Sequence, residues 1–146
     1  MKGRFRVLRR LRGNFRTMVT DRVGDFIIRL KNAGAIGKGV VVVPFSKHVE
    51  SIAYKLKELG YVKEVGKSKV PYSFEVTLAY DDKGAHKIND VKRVSKPGRR
   101  LYAGAKDTHS VKNCMGARLM STPKGILSDR EARRLNTGGE ELFKIW

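Results

Sequence analysis

The apolar residues change period as the chain runs from residue 21 to residue 80, which excludes an all-helical or an all-strand first half. Val23, Phe26, Ile27 and Leu30 recur at i, i+3, i+4 and i+7, one face of a helix predicted over residues 21–33. Thr20 or Asp21 is expected to cap it and Gly34 to end it. Val40 to Val43 is a β-branched run stopped by Pro44, the pattern of a buried strand. A second helical face follows in Val49, Ile52, Ala53, Leu56 and Leu59, with Ser46 as the expected N-cap and Gly60 as the closing residue. Residues 61–65 and 72–80 then read as a hairpin, because Phe74, Val76 and Leu78 alternate with Glu75, Thr77 and Ala79. The first half therefore reads α-β-α-β-β, an α+β unit.

Asp81-Asp82-Lys83-Gly84 is a turn and the expected boundary between residues 18–82 and a second unit, residues 83–146. Strands are expected there at 85–95, 99–102, 115–122, 125–127 and 141–145. Ser128-Asp129-Arg130-Glu131 has the spacing of a capping box and opens a short helix to about Leu135, ended by Asn136 or Gly138. The second unit reads as mostly antiparallel β with one short helix. Residues 1–17 form a separate basic arm.

Thirty-two Lys and Arg against 14 Asp and Glu give a formal charge of +18. Such a balance favours a polyanionic partner, nucleic acid before an anionic membrane, which would also need a lipid-facing apolar patch. The arm carries Lys2, Arg4, Arg6, Arg9, Arg10, Arg12 and Arg16 with no acid, yet the body stays strongly basic without them. Leu8, Leu11 and Phe15 fall on one helical face, weakened by Gly3 and Gly13. The arm reads as a flexible tail, as a segment that orders on RNA or between partners, or as an acid-free transit peptide lacking serine. No apolar run is long enough to span a bilayer, and no secretory signal stands at the N-terminus. The single cysteine, Cys114, lies in an apolar stretch, where a buried structural thiol in a reducing compartment is expected.

Catalysis finds no support in the pattern. His48, His86 and His109 are far apart, lack metal-ligand spacing with Cys114 and read as surface or satisfied histidines. Residues 34–39 are glycine-rich but lack the phosphate-loop spacing and fall between a helix and a strand in the wrong order. Asp81-Asp82 sits in a turn, and Glu140-Glu141 on a strand would point to opposite faces. No enzyme, cofactor or metal is expected.

Two stretches combine cations, hydroxyls, glycine and an aromatic. In Arg93-Val94-Ser95-Lys96-Pro97-Gly98-Arg99-Arg100-Leu101-Tyr102, Pro97-Gly98 makes a turn that displays Lys96, Arg99 and Arg100, and Tyr102 offers a ring for stacking. In Ser121-Thr122-Pro123-Lys124-Gly125, short hydroxyls can reach a base edge or a ribose 2′-OH while Gly125 lets the backbone approach. Each alone is also compatible with an ordinary surface turn. Their order and wording, with S-T-P-K-G continuing into I-L-S-D-R-E-A-R-R-L and then G-G-E, resemble the small-subunit ribosomal protein eight family. Asp21-Arg22-Val23-Gly24-Asp25, Arg29-Leu30-Lys31-Asn32-Ala33 and Pro44-Phe45-Ser46-Lys47 resemble its opening helix and its strand-to-helix junction, so the likeness covers residues 18–146.

The resemblance implies a two-domain α+β protein that binds the central domain of small-subunit ribosomal RNA early in assembly, at an irregular helix and beside neighbouring ribosomal proteins. Family contacts transfer to Tyr102, to Ser121, Thr122, Lys124 and Gly125, to Gly138, Gly139 and Glu140, and to Arg29, Lys31 and Asn32 as a weaker second contact. Pro123 stands where the family usually has serine, which removes a hydroxyl and stiffens the loop. The arm lies outside the resemblance. Repression of translation through its own operon's messenger RNA, DNA packaging and RNA hydrolysis are the competing functions. The expected location is the bacterial cytoplasm, with an organellar ribosome as the alternative.

Overall fold

The computed structural model describes residues 21–109, 111 and 115–146. The expectations for the basic arm and for Cys114 lie outside the described residues. The chain forms α1 (Arg22–Ala35), β1 (Val40–Pro44), α2 (Lys47–Leu59), β2 (Val62–Lys67) and β3 (Ser73–Leu78). It continues with β4 (Val91–Arg93), β5 (Tyr102–Ala103), a 3-10 turn (Ala105–Asp107), β6 (Ala117–Thr122), β7 (Gly125–Ser128), α3 (Asp129–Arg134) and β8 (Gly139–Ile145). The α-β-α-β-β order and the strand-rich second half match the α+β expectation.

β3 is central in an antiparallel sheet of order β1-β3-β2, and its alternation buries Phe74, Val76 and Leu78 beneath the two helices. The second sheet runs β4-β8-β6-β7, with β5 also paired to β8. β8 is therefore the spine of the second half. Phe26, Leu30, Ile52, Leu56, Val76, Leu119, Phe143 and Ile145 belong to one continuous buried cluster that draws on both sheets.

Two helix-start carboxylates are shared across that cluster. Asp21 Oδ1 accepts from the Gly24 amide at 3.1 Å, capping α1, and also receives Arg93 Nη2 at 3.0 Å. Glu131 completes the capping box of α3 by accepting from the Ser128 amide at 3.0 Å, and Lys55 Nζ from α2 lies 3.0 Å from its Oε2. Each cap thus binds a cation carried by the other half of the chain.

Five local expectations are corrected. Gly34 does not end α1, which continues to Ala35 with Ile36 as C-cap. A β-carbon at Gly34 would come within 2.9 Å of the His86 ring, so its glycine serves close packing. The predicted strand 85–95 shrinks to β4: His86 bridges back to Tyr80, and Ile88 is buried in the core outside any strand. His86 is not a satisfied histidine either: it is half-buried, and its Nδ1 has no hydrogen-bond partner among the described residues. The predicted strand 99–102 is displaced to Tyr102–Ala103, since Arg99 pairs with Lys96 across the turn. The strand predicted at 141–145 begins two residues earlier, at Gly139, where β5 and β6 still supply partners. Asn136, at φ +49, carries the left-handed turn after α3.

Candidate nucleic-acid interface

The Pro97-Gly98 turn is a minimal hairpin in which Lys96 and Arg99 exchange backbone hydrogen bonds at 2.9 Å in both directions. Its base is clamped from inside. The Ser95 hydroxyl, fully buried, accepts from the Leu101 amide at 2.9 Å and donates to the Leu101 carbonyl at 3.1 Å. This places Tyr102 on β5, where it pairs with Glu140 of β8 and stays 73 % exposed. Sequence reasoning did not single out Ser95. A lone serine in a basic stretch reads as surface, and only its burial reveals the clamp.

On the other side of β8, Glu140 pairs with Ser121 of β6. Directly opposed residues in antiparallel strands point to the same face. Tyr102, Glu140 and Ser121, taken from three motifs far apart in the chain, therefore form one transverse row. A ring, a carboxylate and a hydroxyl stand side by side there. Arg100 Nη1 reaches Glu140 Oε1 at 3.0 Å, which holds the carboxylate in place while the cation remains half-exposed. His48, at the start of α2, lies in the field of the same groups. Burial pushes its proton affinity below the ordinary histidine value; Glu140 opposes this, while Arg93 and Arg100 act in the same direction as burial.

Next to the row, β6 turns into β7 through Pro123 and Lys124, with Thr122 opposite Gly125. The Thr122 hydroxyl donates to the Gly125 carbonyl at 2.8 Å and accepts from the Lys124 amide at 3.2 Å. It braces the turn from within, leaving Ser121 as the hydroxyl placed in the row. Gly125 has φ +110, which a side chain would strain. Gly138 and Gly139 serve close approach: a β-carbon at Gly138 would meet the Ala103 carbonyl at 2.7 Å, and one at Gly139 would overlap the Ser121 carbonyl. The G-G-E motif thus lets β5, β8 and β6 meet beneath Tyr102 and Ser121.

Lys96, Arg99 and Lys124 are exposed around these turns. Arg29, Lys31 and Asn32 lie on α1, outside the row. Arg29 is held by Asp25 at 2.9 Å and by the Val42 carbonyl, Lys31 pairs with Asp90 at 2.7 Å, and Asn32 is exposed. Among the described residues, no cluster of histidine, cysteine and acids is arranged to hold a metal ion, and no helix is long and apolar enough to cross a membrane.

Comparison with known proteins gives one answer over most of the chain. The family model of ribosomal protein S8 matches residues 21–146. Small ribosomal subunit protein uS8 of Chlorobaculum tepidum is 41% identical over 131 residues, covering 88% of this chain and 98% of that protein. The uS8 protein of Rippkaea orientalis is 44% identical over 130 residues, 86% of this chain and 97% of its own length. That of Helicobacter pylori is 41% identical over 131 residues, 88% of this chain and all of its own length.

Proposed function

Because the chain belongs to the ribosomal protein S8 family, we propose that it grips an irregular helix in the central domain of small-subunit ribosomal RNA and helps that domain assemble. It is a structural component of the small ribosomal subunit, with ribosomal RNA and ribosomal proteins as its partners, and it is not an enzyme. Residues 83–146 are the unit assigned to RNA recognition, residues 18–82 the α+β unit that supports it, and the bacterial cytoplasm the location.

The observation that carries this reading is the transverse row: Tyr102, Glu140 and Ser121 are brought into register by β5, β8 and β6. A ring can stack on an unpaired base, a carboxylate can accept from a base amino group, and a hydroxyl can bind a base edge or a 2′-OH. Irregular stems expose such groups, whereas the deep major groove of regular A-form RNA hides them. The exposed Lys96, Arg99 and Lys124 gather phosphates around the row without reading sequence.

A binding competition tests the proposal. The irregular ribosomal stem should outcompete duplex DNA of equal length, and the preference should persist as salt rises. Equal affinities that collapse together in salt would refute it in favour of a packaging role.

A further inference from the structure

The loop from β2 to β3 holds a second exposed aromatic feature that the row does not use. Tyr72 is 93 % exposed, yet it has φ +57, a conformation disfavoured for a bulky side chain. It gains no burial in return. The loop is nonetheless well pinned: the Ser68 hydroxyl accepts from the Val70 amide at 3.1 Å, and the Ser73 hydroxyl donates to the Val70 carbonyl at 2.6 Å. The Tyr72 carbonyl accepts from the Phe45 amide at 2.8 Å, continuing the register of Pro44 with Ser73. Phe45 is about half-exposed and stands edge-on to Phe74, centroids 6.5 Å apart.

Two exposed aromatic residues thus stand on adjacent segments joined by that backbone hydrogen bond. Lys47, Lys67 and Lys69 are exposed around them, none in an ion pair among the described residues, and no acid occurs in the chain between Glu64 and Glu75. An apolar protein partner would leave these cations unpaired, whereas a nucleic-acid strand matches both rings and charges.

Resting on the RNA-binding reading above, we propose that Tyr72 and Phe45 form a stacking platform for an unpaired base of the bound RNA, with Lys47, Lys67 and Lys69 holding the flanking phosphates. The strained backbone at Tyr72 then has a use, since it aims a ring away from the protein.

The test uses the full chain and a labelled octauridylate carrying 4-thiouridine. Tyr72→Ala should weaken its binding about tenfold, with the salt dependence unchanged because no cation is lost. Tyr72→Phe should bind like the wild type. Tyr72→Gly should lose binding while its melting temperature holds or rises, because glycine suits φ +57. Photocrosslinks should map to residues 67–73. Wild-type affinity in Tyr72→Ala, or crosslinks confined to other segments, would overturn the proposal. So would unchanged octamer binding combined with poor incorporation into small subunits, which would assign the platform to a protein. Binding of the irregular stem, measured in parallel, should change far less, so that failure of the row and failure of the platform are read separately.

Discussion

Replacing Lys55 with methionine isolates one of the shared helix caps. Lys55 is only 11 % exposed, and its Nζ lies 2.6 Å from Glu58 and within 3.2 Å of both Glu131 oxygens. The Glu58 pair is solvent-facing and contributes at most about 0.5 kcal/mol. The Glu131 pair is better shielded, with the carboxylate 30 % exposed. Breaking a fully buried pair costs about 3–5 kcal/mol; solvent access and the surviving Ser128 hydrogen bonds reduce the expected loss here to about 1–2 kcal/mol. In a chain of this size that is a fall of about 3–8 °C in melting temperature. Urea denaturation of wild type, Lys55→Met, Glu131→Gln and the double variant gives the coupling energy directly. Its pH dependence follows from the ionisations. Burial raises the Glu131 proton affinity, but the Ser128 amide and the Lys55 hydrogen bond and charge outweigh it, so the folded value lies below the ordinary one. Its contribution is present above the ordinary carboxylate range and is lost as pH falls through the folded value. Lys55 is depressed by burial but raised overall by Glu58 and Glu131, so its contribution is complete below the ordinary lysine value and lost as pH rises through the folded one. The coupling should be full at neutral pH and vanish in strong acid. A coupling below about 0.3 kcal/mol at neutral pH, or one indifferent to acid, would refute the reasoning.

Gly139→Ala should destabilise the chain by about 1–3 kcal/mol in thermal melts, because the backbone carbonyl of Ser121 cannot move aside like a side chain. Ser95→Ala should cost about 1–3 kcal/mol and weaken binding of the ribosomal stem, since it empties the clamp behind Tyr102. Ser121→Ala with Thr122→Val should weaken binding of that stem more than Lys2→Ala with Arg4→Ala; equal losses in a filter-binding titration would count against the row. Lys96→Ala with Arg99→Ala should weaken the stem and unrelated strands alike and lower the salt slope by about 1.5.

How far the fold could be read beforehand depended on how local its determinants are. The helical faces from Val23 to Leu30 and from Val49 to Leu59, the alternation through Phe74 to Leu78 and the Ser128–Glu131 capping box are each encoded within a few residues, and each appears in its expected place. The ends went wrong where a distant partner intervened. His86 packs on Gly34, which stays inside α1, and its bridge to Tyr80 stands where the start of a strand was expected. The site divides in the same way. The wording of each motif showed which residues to watch, and the Pro97-Gly98 turn forms as expected. Their convergence on β8 was not legible, because strand order and register depend on pairing between residues far apart in the chain, as for Val91 with Ile145 and Tyr102 with Glu140. Nor was the inward use of Thr122, whose hydroxyl has the same sequence whether it faces a ligand or its own turn.

The two glycines at the start of β8 also set a scale. Adjacent strands lie about 4.8 Å apart, so Tyr102 and Ser121, one strand to either side of Glu140, are held roughly 10 Å apart. The backbone part of that span is fixed, because it belongs to paired strands and not to loop tips. If the row binds RNA as proposed, it would act as a calliper set by the backbone: the RNA would have to present its groups at the matching interval or forgo one of them. Selection would then fall on the width of the RNA, and insertions that change its girth should be tolerated less well than base changes that preserve it.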